Sequence, residues 1–89
     1  TYLQKNIFDP LGMRDSGYDL AAPVLKKRAS GYQPDGTNAP FLDMTLPYAA
    51  GSLYSTVDDL LKWEQAMYTE KLISRASFEK MTTPGKGEY

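Results

Sequence analysis

The sequence predicts a mainly α fold of two to four short helices joined by long irregular loops, with one small β-hairpin as an optional addition. Residues 57–69 carry apolar side chains at helical spacing behind a group of capping residues, which is typical of an amphipathic helix. Residues 33–54 follow neither the helical nor the strand period, and prolines and glycines interrupt them throughout.

Size and composition limit the classes of function. The chain has 89 residues, 42% of them hydrophobic, and a formal net charge of -1; its mean hydropathy is -0.48. A nearly neutral chain lacks the basic surface that binding to nucleic acid requires. No apolar run approaches the roughly 20 residues of a transmembrane helix. We therefore expect no nucleic-acid partner and no membrane span in this chain.

The chain contains no Cys and no His. Zinc sites and nucleophiles that depend on Cys or His are therefore excluded within it, and we expect neither a metal nor another cofactor. The chain begins without Met, in what reads as the last turns of a helix. We interpret residues 1–89 as a single fragment, part of the helical region of a larger domain.

The first segment is predicted to be the end of that helix. Leu3 and Ile7 lie four residues apart on one helical face. We expect Asp9-Pro10 to stop the helix, because the residue before a proline avoids the α region. The Leu-Gly-Met sequence that follows is expected to place apolar side chains behind a glycine turn.

The next segment is predicted to consist of turns and short extended pieces. Residues 15–19 have turn chemistry. We interpret the basic run 26–28 as a solvated strand edge rather than an anion site, because lysines on an edge discourage sheet pairing. Residues 29–32 are a candidate strand. Pro34-Asp35-Gly36 is a turn signal at which a small hairpin is expected.

Residues 33–54 form a long loop, and loops of this length in compact domains are usually functional or mobile. Too many apolar side chains lie in it for all of them to be solvated. In this chain alone we expect them to be partly exposed, and against another domain to be buried. They are Phe41, Leu42, Met44, Leu46 and Tyr48.

The main helix is predicted from Val57 to about Thr69. Ser55 or Thr56 caps it, since each has an Asp three residues further on and either hydroxyl accepts an otherwise unpaired N–H. Asp58 and Asp59 are interpreted as complements of the helix dipole rather than as acid–base groups.

We expect the apolar stripe of this helix to be buried and Trp63 to belong to the core. The stripe contains Val57, Leu60, Leu61, Met67 and Tyr68. Leu60→Asp is then expected to cost several kcal/mol by burying a charge. A second helix is predicted over residues 75–81, with Ser74 as its N-cap and Pro84 beyond its end.

Three stretches of the chain have the character of family signatures. Residues 51–60 read Gly-Ser-Leu-Tyr-Ser-Thr-x-x-Asp-Leu and lead into a helix that contains Trp. Phe-Asp-Pro-Leu-Gly-Met at 8–13 and residues 72–84 are the second and third stretches. Together they resemble the serine β-lactamase-related hydrolases, a family of class C β-lactamases, penicillin-binding D-Ala-D-Ala peptidases and esterases. The resemblance covers this chain but only an internal piece of the family. It implies a sub-domain of an α/β serine hydrolase.

That family acylates a serine in Ser-x-x-Lys, with further residues in Tyr-x-Asn and in Lys-Thr-Gly or His-Thr-Gly. The last two motifs are absent here, and the one Ser-x-x-Lys, Ser77 to Lys80, lies in a short amphipathic helix where we interpret it as a capping or surface feature. We therefore assign no catalytic residue. The first two motifs are expected before Thr1 and the third after Tyr89.

The residues that the resemblance places along the substrate cleft are Tyr48, Ala49, Ala50, Gly51 and Ser52. Gly51 permits a close approach of backbone or ligand because it has no Cβ. The family often has glycine where Ser52 stands. The alternative is that these five residues simply start the main helix.

The leading hypothesis is a helical cleft-wall segment of a bacterial-type, β-lactamase-like serine hydrolase that acts on a β-lactam, a D-Ala peptide or an ester. This chain alone is predicted to be inactive. Its expected partners are that small-molecule or peptide substrate and the remaining α/β domain of the same chain, in an extracytoplasmic location at the cell envelope or secreted. The alternatives are a free-standing small binding module that uses the 33–54 loop, and a structural insert that touches no ligand.

Overall fold

The computed structural model describes residues 1–87. Its regular elements are a π-helical turn (Gln4–Phe8), α1 (Asp9–Leu11), β1 (Gly17–Tyr18), a 3-10 turn (Tyr48–Ala50), β2 (Leu53–Tyr54), α2 (Val57–Met67) and α3 (Arg75–Thr82). β1 and β2 form a two-stranded sheet. Short helices, long irregular stretches and a small β pair are therefore present as predicted, although this β pair joins segments distant in sequence instead of forming a hairpin.

The chain divides into two compact units. The helical unit consists of Thr1–Gly17 and the described part of Tyr54–Tyr89, and the loop unit is Tyr18–Leu53. All the α-helices belong to the helical unit. No helix within residues 1–87 is long and apolar enough to cross a lipid bilayer.

The prediction that Asp9-Pro10 stops the first helix is wrong, since helical structure continues to Leu11. Proline lacks an N–H, and its ring would press against the carbonyl four residues earlier in a regular α-helix. Here a π turn precedes it, in which the Asp9 N–H bonds to the carbonyl of Gln4, five residues back. The wider turn gives the Pro10 ring room.

Gly12 ends this helix in the left-handed conformation, with φ of 67°. The Gly12 N–H donates to the Asp9 carbonyl at 3.1 Å and the Met13 N–H to the Phe8 carbonyl at 2.9 Å. This pair of bonds is the Schellman motif, which satisfies carbonyls that a helix end leaves free. Phe8 and Met13 are both buried, as the hydrophobic contact of that motif requires.

α2 begins with Thr56 as its N-cap, so the choice between the two predicted caps falls on Thr56. Its hydroxyl accepts the Asp59 N–H at 3.2 Å. α3 begins in the same way, because Ser74 Oγ accepts the Ser77 N–H at 3.2 Å. It ends at Thr82, before Pro84, as predicted.

The predicted burial of the apolar stripe on α2 is wrong. Val57 is 83% exposed, Leu60 52% and Leu61 54%. Trp63 also lies at the surface rather than in the core. Because Leu60 is half exposed, the structure does not support the large loss of stability expected for Leu60→Asp.

The buried residues of α2 are Asp59 and Ala66. They lie seven residues apart and so share one face of the helix. In the helical unit this face meets residues 12–16, as the hydrogen bonds of Asp59 to the Asp15 N–H and of Lys62 to the Gly12 carbonyl show. The helix therefore turns a carboxylate inward and its apolar stripe outward.

Asp59 is fully buried and binds three donors. Its Oδ2 accepts the Asp15 N–H at 2.8 Å and the Ser16 hydroxyl at 2.8 Å. Its Oδ1 accepts Lys62 Nζ at 2.7 Å. Lys62 Nζ also donates to the carbonyl of Gly12 at 2.8 Å. We call these five residues the Asp59 cluster.

The electrostatics of the cluster favour an ionised carboxylate. Burial by itself raises the pKa of Asp59, but the hydrogen bonds from Lys62, Ser16 and the Asp15 N–H outweigh it, so the pKa lies below its ordinary value. The interpretation of Asp59 as a helix-dipole complement is therefore incomplete. It suits Asp58, which is exposed in the same turn.

The same unit brings together the two points where the chain leaves it and returns. Ser16 Oγ and Ser55 Oγ are 2.8 Å apart, within hydrogen-bond distance. A Cβ on Gly17 would lie 2.9 Å from the hydroxyl of Tyr54, too close for an unshifted side chain. Glycine at position 17 thus lets the Tyr54 ring pack against the backbone.

In the loop unit, residues 26–28 are not a strand edge. Lys26 and Lys27 form a turn, with φ of 57° at Lys27. Arg28 makes a two-bond ion pair with Asp19, at 2.7 and 2.6 Å. The basic run is therefore split between an exposed turn and one paired cation.

The predicted turn at residues 34–36 is confirmed, with φ of 85° at Gly36. On either side of it Tyr32 and Asn38 form an antiparallel bridge. The Gln33 N–H also donates to the Thr37 carbonyl at 2.7 Å. The expected hairpin exists here in its smallest form.

Asp59→Asn should lower the free energy of unfolding by about 2–4 kcal/mol, because it leaves the Lys62 ammonium without its carboxylate and weakens bonds to two further donors. Asp58→Asn is the matched control: it removes the same charge one residue away, at an exposed site, and should cost less than about 1 kcal/mol. Urea unfolding followed by circular dichroism measures both. Equal effects of the two substitutions would contradict the structural role of Asp59.

The stability contributed by ionised Asp59 should depend on pH. Its folded-state pKa is lowered, so this contribution is present above the unfolded pKa of about 3.9 and is lost as the pH falls through the folded-state value. Asp35 and Asp43, whose pKa values are also lowered, add to the total acid response. The difference between wild type and Asp59→Asn, measured from pH 7 downward, isolates the Asp59 share and should shrink in acid.

Candidate functional site

The five predicted cleft residues, Tyr48, Ala49, Ala50, Gly51 and Ser52, lie in the loop unit as one continuous turn. The first three form a 3-10 turn closed by the Ala50 N–H on the Pro47 carbonyl at 2.8 Å. Two of the five hold positive φ angles that are uncommon for residues with a Cβ, 42° at Tyr48 and 64° at Ser52. The turn thus has a defined and strained backbone path.

Ser52 is the anchor of this turn. Its side chain is buried and its hydroxyl donates to the carbonyl of Met44 at 2.7 Å. Its own carbonyl accepts the Asp19 N–H at 2.8 Å. The hydroxyl is thus used inside the loop unit to hold the backbone.

The Met44 carbonyl is a shared acceptor within the loop unit. Besides Ser52 it accepts the Tyr18 hydroxyl at 3.1 Å. The preceding residue, Asp43, accepts the Thr45 N–H at 2.9 Å and the Thr45 hydroxyl at 2.6 Å. The hydroxyl bond and then the N–H bond hold the pKa of Asp43 below its usual value. These bonds, together with the 3-10 turn Tyr48–Ala50, fix the shape of residues 43–52.

Gly51 does not use the freedom that its lack of a Cβ provides. Its φ of 175° is extended. A Cβ built there would meet no atom within 4 Å. Within this chain, then, neither a left-handed backbone nor a close neighbour requires glycine at position 51.

Tyr48 projects from the anchored turn with 71% of its surface exposed. Other large apolar side chains of the loop unit are exposed as well, namely Phe41, Leu42, Leu46 and Leu53. The expectation that the loop's apolar residues are partly exposed in this chain alone agrees with the structure. The unit therefore presents an aromatic ring and aliphatic groups on a backbone held from within.

The described residues bring no catalytic group together with a base. Ser77 lies in the first turn of α3, where its N–H and its hydroxyl both contact Ser74 Oγ, the latter at 3.0 Å. No hydrogen bond joins Ser77 to Lys80 within residues 1–87. The described part of the chain also holds no group of His, Cys, Asp or Glu residues suited to a metal ion.

Two pockets lie in the helical unit rather than at residues 48–52. The larger, of about 510 Å³, is lined by Met67, Tyr68, Thr69, Glu70, Arg75, Phe78 and Glu79. The smaller, of about 260 Å³, is lined by Leu11, Lys62, Gln65, Ala66, Thr69 and Lys71. Neither lining includes a member of the predicted cleft.

Sequence reasoning missed the importance of Asp59, Ser16 and the Met44 carbonyl. A signal existed for Asp59, because it shares a helical face with the small residue Ala66 and with Lys62 three residues on. On one helical face, the small alanine allows close packing and the cation can neutralise the carboxylate. This combination is compatible with a buried, paired charge. No comparable signal marks Met44, because its backbone carbonyl, and not its side chain, accepts the hydrogen bonds of Tyr18 and Ser52.

Comparison with known proteins gives the same family as the sequence motifs. The Beta-lactamase family model matches residues 1–89. The chain is 37% identical over 87 residues to "Putative penicillin-binding protein PbpX" of Bacillus subtilis (strain 168), covering 94% of this chain and 22% of that protein. It is 36% identical over 66 residues to the human "Putative beta-lactamase-like 1", covering 74% of this chain and 13% of that protein.

A solved structure is similar in fold as well as in sequence. The octameric penicillin-binding protein homologue from Pyrococcus abyssi matches with a TM-score of 0.69 and 35% identity, over 92% of this chain and 20% of that one. The chain thus spans between 13% and 22% of the length of these relatives. The family model, the curated relatives and the structural match agree, and the chain belongs to the beta-lactamase family.

Proposed function

We propose that this chain forms a helical wall of the substrate cleft in a β-lactamase-like serine hydrolase, and that it does not itself carry the groups that make and break covalent bonds. The proposed reaction of the whole enzyme is acylation of a serine by a β-lactam, a D-Ala peptide or an ester, followed by hydrolysis. The wall binds and orients the substrate while other segments supply nucleophile, base and oxyanion donors.

The absence of a nucleophile–base pair supports the second half of this proposal. The sequence lacks Tyr-x-Asn, Lys-Thr-Gly and His-Thr-Gly. The serine of its one Ser-x-x-Lys is Ser77, which lies in the first turn of α3 and hydrogen-bonds to the N-cap Ser74. An alcohol nucleophile needs an adjacent base to be activated, and Ser77 has none among its hydrogen-bond partners.

The single observation that carries the wall assignment is the outward apolar stripe of α2. Val57, Leu60 and Leu61 lie on it with half or more of their surface exposed. Covering a side chain of this kind contributes about 1.5–3 kcal/mol, so a protein that left all of them in water would forgo a large stabilisation. Relatives several times longer than this chain have further structure with which to cover such a face. We assign that role to the remaining α/β domain of the same protein.

The geometry of residues 43–52 supports a place beside the substrate. Tyr48 is exposed on a strained turn that Ser52 holds from within the loop unit. Strained backbone persists where the surroundings fix it, and such positions are frequent at ligand sites. An aromatic ring on a fixed backbone loses little conformational entropy on contact with a ligand. The proposed substrate is a small molecule or peptide met outside the cytoplasm, at the cell envelope or in secretion.

A free-standing binding module is the second candidate, and the exposed apolar residues of the loop unit favour it. In that case the loop of residues 33–54 would bind a partner protein or a cell-wall peptide without help from other segments. Titration of the 89-residue chain with a D-Ala-D-Ala peptide distinguishes the two functions. Saturable binding by this chain alone supports the module, whereas the cleft wall needs the rest of the enzyme.

The isolated chain should not hydrolyse a chromogenic β-lactam, a D-Ala-D-Ala peptide or an activated ester, since it has no activated nucleophile. It should also form no stable adduct with a fluorescent penicillin, as judged by denaturing gel and mass spectrometry. Ser77→Ala is the control. Turnover or labelling that disappears in Ser77→Ala would overturn the assignment of Ser77 to a helix cap.

In the whole hydrolase, Tyr48→Ala should raise KM by about tenfold with little change in kcat, because it removes a contact made equally in ground and transition states. Tyr2→Ala is the matched control: this tyrosine is also 78% exposed, but it lies in the helical unit. It should leave KM and kcat unchanged. Kinetics unaffected by Tyr48→Ala would favour a structural insert that touches no substrate.

A further inference from the structure

The turn at Lys26 and Lys27 and the Asp59 cluster have no part in the proposed function. We propose that this turn is a processing site for a trypsin-like protease, and that the chain cut there remains one folded molecule. The Asp59 cluster holds the two pieces together, residues 1–26 and 27–89 or residues 1–27 and 28–89 according to the bond that is cut. The proposal concerns the chain itself and does not depend on the substrate of the hydrolase.

The residues of the turn are accessible. Lys26 and Lys27 are both exposed, Leu25 before them is half-buried, and Val24 is 91% exposed. Lys27 holds a φ of 57°, an unfavourable conformation for a residue with a Cβ. Straightening the turn into the extended form that a protease binds therefore relieves strain.

The backbone around the turn can enter the active site of a protease at little cost. Among the residues that the structure describes, those numbered 21–30 take part in no backbone–backbone hydrogen bond. Proteases cut where a segment can leave its native position at little cost, which is why exposed loops are nicked first. Sites inside α2 and α3 require helix hydrogen bonds to break.

The third basic residue of the run is tied to another side chain. Arg28 donates two hydrogen bonds to the carboxylate of Asp19, at 2.7 and 2.6 Å. A side chain in a two-bond ion pair must give it up to enter the specificity pocket of a protease. Cleavage is therefore expected after Lys26 or Lys27 in preference to Arg28.

The cut itself is a simple hydrolysis. Water adds across the peptide bond, the carbonyl carbon of the lysine gains the hydroxyl and becomes a carboxylate, and the following residue gains a free amine. The C–N bond is the only bond of the chain that breaks. No oxidant, metal or other reactant beyond protease and water is required.

The contacts that survive the cut lie on both sides of it. In the helical unit, Asp59 of the second piece holds the Asp15 N–H and the Ser16 hydroxyl of the first. Lys62 reaches the Gly12 carbonyl across the same division at 2.8 Å. These bonds centre on a fully buried carboxylate, so water does not readily replace them.

The loop unit adds its own ties between the pieces. The Asp19 N–H donates to the Ser52 carbonyl at 2.8 Å, and the Tyr18 hydroxyl donates to the Met44 carbonyl at 3.1 Å. Neither bond depends on residues 21–30. The chain connection through the turn is thus dispensable for both units.

The test is limited trypsin digestion of the full 89-residue chain, followed by mass spectrometry and size-exclusion chromatography without denaturant. We expect the first cut after Lys26 or Lys27, and both pieces eluting together at the position of the uncut chain. Lys26→Gln/Lys27→Gln should slow cleavage within residues 21–30 by about tenfold or more, because the remaining basic residue of that segment, Arg28, is held in its ion pair with Asp19. Lys71→Gln, which removes an exposed lysine between α2 and α3, should leave the rate unchanged.

Variants of the cluster test what holds the pieces. After the cut, the pieces of Asp59→Asn should separate, whereas those of Asp58→Asn should stay together like wild type. Ser16→Ala, a milder change that removes one hydrogen bond, should give partial separation. If Asp59→Asn does not fold, Ser16→Ala and the wild-type elution decide the matter.

Three results would overturn the proposal. The first is an initial cut in wild type elsewhere than after Lys26 or Lys27. The second is separation of the wild-type pieces on the column. The third is complete co-elution of the two Asp59→Asn pieces at the position of the uncut chain, as for wild type, which would show that other contacts hold them.

Discussion

The buried carboxylate of Asp59 joins two parts of the chain that are 44 residues apart in sequence, through its bond to the Asp15 N–H. Its other partners, the Ser16 hydroxyl and Lys62, leave neither oxygen without a donor. A buried charge costs free energy unless it is paired and hydrogen-bonded, and here both conditions are met. The first helix, the start of β1 and α2 are positioned around this one group.

The orientation of α2 follows from this interaction. Once Asp59 faces inward, the helical period places Val57, Leu60 and Leu61 on the outer side. The helix is amphipathic, but within this chain its polar contact is buried and its apolar stripe is exposed. Such an arrangement suits a segment that packs against another layer of protein, and it accords with membership of a family in which the relatives named above are much longer.

Around the candidate cleft residues, a backbone carbonyl and side-chain hydrogen bonds fix the shape of the loop. The Met44 carbonyl receives hydroxyl groups from Tyr18 and Ser52, and Asp43 closes the turn beside it. Ser52 is therefore an internal anchor, and Tyr48 is the exposed member of the set. The Ser52 hydroxyl, through its bond to the Met44 carbonyl, makes this anchor.

Local features were determined by the sequence itself. The Ser74 cap, the turn at residues 34–36 and the end of α3 before Pro84 each depend on bonds or steric limits within a few residues, so their chemistry is visible in a short stretch. The family signatures at 8–13 and 51–60 are likewise continuous, which is why family membership was predictable. Only the tertiary structure decided which face of α2 is buried, that Asp59 meets Asp15 and Ser16, and that β1 pairs with β2. A helical period defines two faces but does not name the one that faces inward, since that choice depends on partners brought in from distant parts of the chain.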